Sequence, residues 1–177
     1  MSLKLSTKEK MLLQDLKSHE ELCVQKYEGY SKQAQDSNLS QLFTSIGKKE
    51  QEHLNTVSQI LSGQTPNIQQ SSGSQMGMGQ SQGAGQGMGS QMGMGQSQGG
   101  VMGSSQMFNQ GDKTLCSDML STEKFVSSAY NTAIFECTNT QVRQALNHIQ
   151  KEEQEHGEQI FSYMQSNGMY SVQQGMQ

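Results

Sequence analysis

The chain repeats one long segment of its own sequence. Residues 48–53 read KKEQEH and return as KEEQEH at residues 151–156, an offset of 103 residues. Without any gap, Leu12–His53 superposes on Leu115–His156. A repeat of this length indicates two copies of one supersecondary unit that pack together. Identical residues fall at Leu12 and Leu115, Asp15 and Asp118, Ser18 and Ser121, Glu20 and Glu123, Tyr27 and Tyr130, Gln41 and Gln144, and Ile46 and Ile149.

Each copy has the pattern of a helical hairpin. In the first copy, Ser6-Thr7-Lys8-Glu9 predicts a capping box that opens a helix at about residue 7. Apolar residues then recur at spacings of three and four, which marks one face of a helix. A short turn at residues 35–38 leads to a second helix that stops at Gly63. Two long helices joined by so short a turn must lie antiparallel, so 7–63 is predicted to be an αα-hairpin.

The second copy predicts a second hairpin over residues 112–168. Asp112 is the expected N-cap, residues 138–140 form the turn, and Asn167-Gly168 closes the last helix. The two hairpins together can bury one core. The sequence therefore predicts an all-α four-helix bundle and a single domain over residues 1–177.

Residues 64–111 differ in composition from both hairpins. They contain no charged residue, and Ser74–Gly83 returns unchanged as Ser90–Gly99. Gly, Ser and Gln bury too little apolar area to offset the cost of ordering, about 1–2 kcal/mol per residue, which predicts a disordered linker. The linker is long enough to cross the length of a bundle, and equally to exchange hairpins between two chains in a homodimer. Self-association or cross-linking through this segment is the alternative.

Composition excludes several classes of function. The net charge is −4, the pI is near 5.5, and no cluster of basic residues stands out, which argues against nucleic acid as a partner. No stretch approaches the ~20 apolar residues of a membrane span. Lys4, Lys8 and Lys10 are not followed by an apolar run, so no signal peptide is expected and the protein is predicted to be intracellular. The three cysteines exchange with small or apolar residues in the other copy and are predicted to be buried thiols: Cys23, Cys116 and Cys137.

Six polar residues interrupt the apolar faces of the four predicted helices. In the first hairpin, Glu50 and His53 are one turn apart on a face that also carries Ile46 and Val57. Glu20 lies between Leu16 and Cys23 on the preceding helix. The repeat places Glu153, His156 and Glu123 in the same way, so the candidate site is Glu20, Glu50, His53, Glu123, Glu153 and His156.

Four buried carboxylates need compensation, by protons or by cations. An unpaired buried carboxylate costs several kcal/mol, and four that face one another also repel. Two divalent metals would balance their charge, with the two imidazoles as further ligands. One Glu from each of two helices and Glu-x-x-His from each of the other two is the ligand pattern of di-iron and di-manganese carboxylate bundles. Such oxygen-rich ligation favours iron or manganese, with zinc as an alternative.

Other polar residues near this site have weaker patterns. Tyr27 and Tyr130 lie two turns after Glu20 and Glu123 on the same faces. They either fill the core or hydrogen-bond to a metal-bound carboxylate. The remaining glutamates near the motif are predicted to be solvent-exposed: Glu21, Glu52, Glu152 and Glu155. Two further histidines are predicted to be partly exposed: His19 and His148.

With these residues, the chain resembles the ferritin-like superfamily, and rubrerythrins in particular. That resemblance implies a ferritin-like four-helix bundle with a long connection between its second and third helices. It also implies a di-iron or di-manganese oxidoreductase that removes peroxide or oxygen. The third helix differs from that of rubrerythrins, which carry a further glutamate where this chain reads Glu123-Lys124-Phe125-Val126.

The second hairpin is similar to the Coat F family of bacterial endospore coat proteins. The similarity is carried by 118–123 (DMLSTE), 129–133 (AYNTA), Glu136-Cys137, Arg143, Glu152-Glu153 with His156, and Met164 through Gly168-Met169-Tyr170. It implies a protein made during sporulation that is found in the spore coat with other coat proteins as partners. We therefore expect a coat protein with a di-metal site, with the oxidoreductase as the alternative. Metal storage in a closed shell of subunits is a third possibility.

Overall fold

A computed structural model of the chain describes residues 3–66 and 109–171. This part of the chain contains four α-helices and no β-strand, which confirms the prediction of an all-α bundle made of two hairpins. The helices are α1 (Thr7–Gln33), α2 (Ser37–Leu61), α3 (Gln110–Glu136) and α4 (Thr140–Ser166).

The helix ends follow the sequence signals with one exception. Ser6 and Glu9 form the predicted capping box, in which each side chain accepts a hydrogen bond from the other residue's backbone N–H. Gly63 ends α2 with φ of 83°, a conformation that favours glycine. The prediction of Asp112 as the N-cap of α3 was wrong. Asn109 holds that position, because its side chain accepts hydrogen bonds from the N–H groups of the first turn.

Asp112 is instead one of two acidic residues that join the hairpins. Its carboxylate accepts hydrogen bonds from the backbone N–H groups of Gln35 at 2.9 Å and Asp36 at 3.0 Å. At the repeat-related position, Glu9 accepts from the backbone N–H of Thr138 at 2.8 Å and from its hydroxyl at 3.0 Å. Each hairpin therefore accepts hydrogen bonds from the backbone N–H groups in the turn of the other hairpin. The start of α1 lies beside the end of α3, and the start of α3 lies beside the end of α1.

The connection between the hairpins joins opposite ends of the bundle. The backbone of Leu3 donates to Gly63 at 2.9 Å, so α2 ends beside the start of α1. The first turn of α3 lies at the other end of α1, as the Asp112 contacts require. The predicted linker 64–111 lies almost wholly outside the described residues. The third helix, α3, begins at Gln110, slightly before the predicted boundary at 112.

Two apolar clusters fill the bundle interior, and each draws residues from all four helices. One contains Leu16, Val57 and Ile149, and the other contains Phe43, Met119 and Ile160. The three cysteines are buried and free, as predicted. Among the described residues, no helix has the length and apolar character that crossing a bilayer requires.

Replacing Glu9 by Gln tests the contacts between hairpins. Burial opposes ionisation of Glu9, but hydrogen bonds from Thr138 and Ser6 outweigh it and lower its pKa from 4.5 to about 2. The stability that this carboxylate contributes is therefore present above pH 4.5 and is lost as the pH falls toward 2. We expect Glu9→Gln to lower the free energy of unfolding at pH 7 by about 1–3 kcal/mol.

Urea denaturation from pH 7 to pH 3 measures the difference in free energy of unfolding between the wild type and Glu9→Gln. This difference should become smaller below pH 4.5. Glu28→Gln is the control, because the Glu28 side chain is exposed and pairs with its helix neighbour Lys32 rather than with the other hairpin. A loss for Glu9→Gln that stayed constant over the whole pH range would contradict the assignment.

Candidate metal centre

All six polar residues that interrupt the apolar faces meet inside the bundle. α1 supplies Glu20 and α3 supplies Glu123, while α2 and α4 each supply a Glu-x-x-His pair. None of the six residues has more than 3% of its surface exposed. Helical periodicity explains this convergence, since residues three and four apart share a face.

The six side chains form two overlapping groups of potential ligands. Within each group, one nitrogen or oxygen atom from every residue lies within 4.8 Å of the others. Glu50 and Glu153 belong to both groups, so their carboxylates lie between the two. The first group is Glu20, Glu50, His53 and Glu153, and the second is Glu50, Glu123, Glu153 and His156.

Both imidazoles turn the same nitrogen toward the shared carboxylates. His53 Nδ1 lies 2.9 Å from Glu153 Oε1, and His156 Nδ1 lies 2.7 Å from Glu50 Oε1. The two rings are nearly parallel, with centroids 5.6 Å apart. Each histidine thus contacts the shared glutamate of the opposite hairpin.

Most of these buried atoms have no aligned hydrogen-bond partner in the described part of the chain. The close approaches to the imidazoles lack hydrogen-bond geometry, although they are short. Unpartnered atoms of this kind are costly in a protein interior, and they are the atoms that a cation would bind. They are both oxygens of Glu50 and Glu153, one oxygen each of Glu20 and Glu123, and Nδ1 of His53 and His156.

The protein could also balance this charge with protons. Burial, reinforced by the charge of Glu50, raises the pKa of Glu20 well above its usual range. Burial likewise raises the pKa of Glu153. Burial opposes ionisation of Glu50 as well, but contacts with His156 and His53 lower its pKa to about 2. Burial opposes protonation of His156, yet contacts with Glu123 and Glu50 raise its pKa to about 9.

The two tyrosines hydrogen-bond to carboxylates of the opposite hairpin. The Tyr27 hydroxyl donates a hydrogen bond to Glu123, and the Tyr130 hydroxyl donates a hydrogen bond to Glu20. Both tyrosines are fully buried. Each tyrosine therefore fills the core, which was one of the two alternatives considered from the sequence, and its hydroxyl also bonds to a carboxylate of the candidate site.

Glu152 is a site residue that the sequence analysis missed. It was predicted to be solvent-exposed, and this was wrong, because only 16% of its side chain is exposed and its Oε2 lies 2.9 Å from His53 Nε2. His148 lies 3.5 Å from the same oxygen. Periodicity shows which face of α4 carries Glu152, but not that its side chain reaches a histidine on α2. The other polar residues have the predicted exposure: Glu21, Glu52 and Glu155 are exposed, and His19 and His148 are partly exposed.

Comparison with known proteins gives one match. Residues 111–173 match the Coat F domain. No curated protein and no solved structure matches the chain. The Coat F match spans α4 and nearly all of α3, and it supports a place in the spore coat. It includes Glu123, Glu153 and His156 but not the three candidate ligands of the first hairpin.

A methyl group at Gly47 tests how tightly Tyr27 is held. A Cβ at Gly47 would lie only 3.0 Å from Tyr27 Cβ, whereas one at Gly157 would make ordinary contacts, the nearest 3.7 Å from Leu120. Alanine in a helix interior is favoured over glycine by about 0.5–1 kcal/mol. We expect Gly157→Ala to stabilise by about that amount, and Gly47→Ala to be less stable than Gly157→Ala because Tyr27 must move.

Chemical denaturation of both variants in the same chelator-containing buffer measures the difference, with Gly157→Ala as the matched control. Equal stabilisation by the two substitutions would show that Tyr27 shifts at no cost.

Proposed function

We propose that this chain is a spore coat protein of the Coat F type whose ferritin-like bundle binds two divalent metal ions, iron or manganese. The match of residues 111–173 to the Coat F domain supports the coat role. The two apolar clusters, which mix residues of both hairpins, support one domain over residues 1–177. Other coat proteins are the proposed partners, and a homodimer that exchanges hairpins is compatible with the contacts.

The overlapping ligand groups are the observation that supports two metal ions. Glu50 and Glu153 would bridge the ions, because both groups contain them. Glu20 and His53 would complete one position, and Glu123 and His156 the other. The donors are oxygen atoms with one imidazole per position, which suits iron or manganese. Cys23 is not among them, and burial together with the nearby glutamates raises the pKa of its thiol.

The metals would supply positive charge where four carboxylates converge. The protein's own groups would orient the ligands around the metals. The hydroxyl groups of Tyr27 and Tyr130 bond to Glu123 and Glu20, the glutamates that belong to one ligand group each. Glu152 contacts His53 Nε2, the outer nitrogen of the ring, which faces away from the shared carboxylates. Since every position takes ligands from both hairpins, bound metal would tie the hairpins together. A coat protein would gain rigidity from this.

A di-iron or di-manganese oxidoreductase is the second candidate. The observation that favours it is the pair of tyrosine hydroxyls on the carboxylates Glu20 and Glu123. Such hydroxyls can hold or pass a proton beside a metal centre. Consumption of hydrogen peroxide by the metal-loaded protein distinguishes this activity from a purely structural role.

The metal site is tested by removing a shared carboxylate. We expect Glu50→Ala and Glu153→Ala to lose bound metal and, with it, metal-dependent stability. A metal ion at 100 times its dissociation constant stabilises a fold by about 2.7 kcal/mol, so the wild-type protein should melt several degrees higher in Mn²⁺ than in EDTA.

Elemental analysis and thermal denaturation, on protein purified without a metal-affinity tag, measure both effects. Glu155→Ala is the matched control, because Glu155 is exposed on the same helix as Glu153. A variant at either shared position that kept its full metal complement would remove that residue from the ligand set.

The coat role is tested by fractionating spores of the organism that encodes the chain. We expect the protein in the extracted coat layer and not in vegetative cytosol, as detected with an antibody against the second hairpin. Its presence only in vegetative cytosol would refute the coat assignment and leave the metal site to be explained by an enzymatic role.

A further inference from the structure

The surroundings of the two ligand groups differ, although the ligands themselves repeat. His53 Nε2 is 2.9 Å from Glu152 Oε2, on the neighbouring hairpin. The repeat places Lys49 at the position equivalent to Glu152, and Lys49 pairs with Glu52 at the surface, at 2.9 Å. In the described part of the chain, no equivalent carboxylate contacts the outer nitrogen of His156.

A groove also extends from the surface to Glu123, which belongs to the ligand group of His156 and not to that of His53. It lies between α3 and α4, has a volume of about 340 Å³, and is lined by Glu123 and Glu153 together with Lys124 and Ser127. Glu153, the other glutamate in the lining, belongs to both ligand groups. The groove described between α1 and α2, of about 240 Å³, includes Tyr27 in its lining but none of the six candidate ligands.

Gly157 keeps the groove between α3 and α4 open. A Cβ at this position would lie 3.7 Å from Leu120 Cδ1 and 3.9 Å from Glu123 Cβ, so a longer side chain would extend over the groove. The repeat places Leu54 at the equivalent position of the first hairpin, where it is partly buried. Both departures from the repeat thus act in one direction: a carboxylate supports the His53 group from outside, and a groove runs from the surface to Glu123 of the other group.

We propose that the two metal positions are unequal, with a retained ion at Glu20 and His53 and an exchangeable ion at Glu123 and His156 that passes through the groove at Gly157. This inference rests on the proposed metal site. A carboxylate on the outer nitrogen of a histidine ligand fixes its ring and typically strengthens metal affinity 10- to 100-fold. Among the described residues, that support is found at the His53 position and not at the His156 position. The Glu123 position has the opening through which a hydrated ion can enter and leave.

Release of Mn²⁺ from the loaded full-length chain tests the inequality. The protein is mixed with excess EDTA, and manganese that remains bound is followed over time by elemental analysis of desalted samples. We expect two phases of equal amplitude, one ion per chain each, with rates at least about tenfold apart. A single phase that releases both ions would overturn this inference and leave the two-metal site intact. Failure to bind Mn²⁺ or Fe²⁺ at all would remove both.

Two variants assign the phases to positions. Gly157→Leu should slow the fast phase, whereas Gly157→Ala, whose methyl group fits without a clash, should leave it unchanged. Glu152→Gln should speed the slow phase about tenfold, and Glu155→Gln, on the exposed side of α4, should not. The Glu152 result does not depend on whether Gly157→Leu folds. A Glu152→Gln variant that accelerated only the fast phase, or neither phase, would refute the assignment.

Discussion

Negative charge buried at the centre of the bundle is the constraint on which the rest of the structure depends. Burying each of the four carboxylates without a partner would cost several kcal/mol, and their mutual repulsion adds to that cost. The protein meets part of this need itself, since tyrosine hydroxyls bond to Glu20 and Glu123 and imidazoles face Glu50 and Glu153. The remaining oxygens have no hydrogen-bond partner within the described part of the chain. Apolar clusters of both hairpins enclose this centre, so the protons or cations that balance the negative charge of the carboxylates must lie within the site.

Neither hairpin can satisfy its own polar groups, and this makes the bundle one cooperative unit. The partner of each buried tyrosine lies on the other hairpin, as do the backbone N–H groups that Glu9 and Asp112 cap. Such reciprocal contacts follow from a duplicated unit related to its copy by an approximate two-fold axis. The same contacts would form if hairpins were exchanged between two chains, because each involves one residue from each hairpin.

The sequence was sufficient to find the six central residues but not their support. Glu20, Glu50 and His53 could be identified because each interrupts an apolar stripe and recurs in the second copy, so two independent patterns coincide. Glu152 was missed because helical periodicity shows which face of its own helix a residue occupies. It does not show whether the side chain is long enough to contact a residue on a neighbouring helix. Asp112 was misassigned for a related reason: an acidic residue near a helix start suits an N-cap, yet here it caps a turn of the other hairpin.

The differences between the two copies show which positions the buried charge constrains. Changing any of the six central residues would leave a neighbouring charge unpaired, so the copies agree there. Positions 49 and 54 lie outside the centre, and so do their equivalents Glu152 and Gly157, which contact or adjoin the ligands without being among them. A duplicated bundle can therefore keep a symmetric ligand set while its two halves come to differ in support and access. Chemical inequality between two otherwise identical sites then needs only side chains that touch the ligands or cover them.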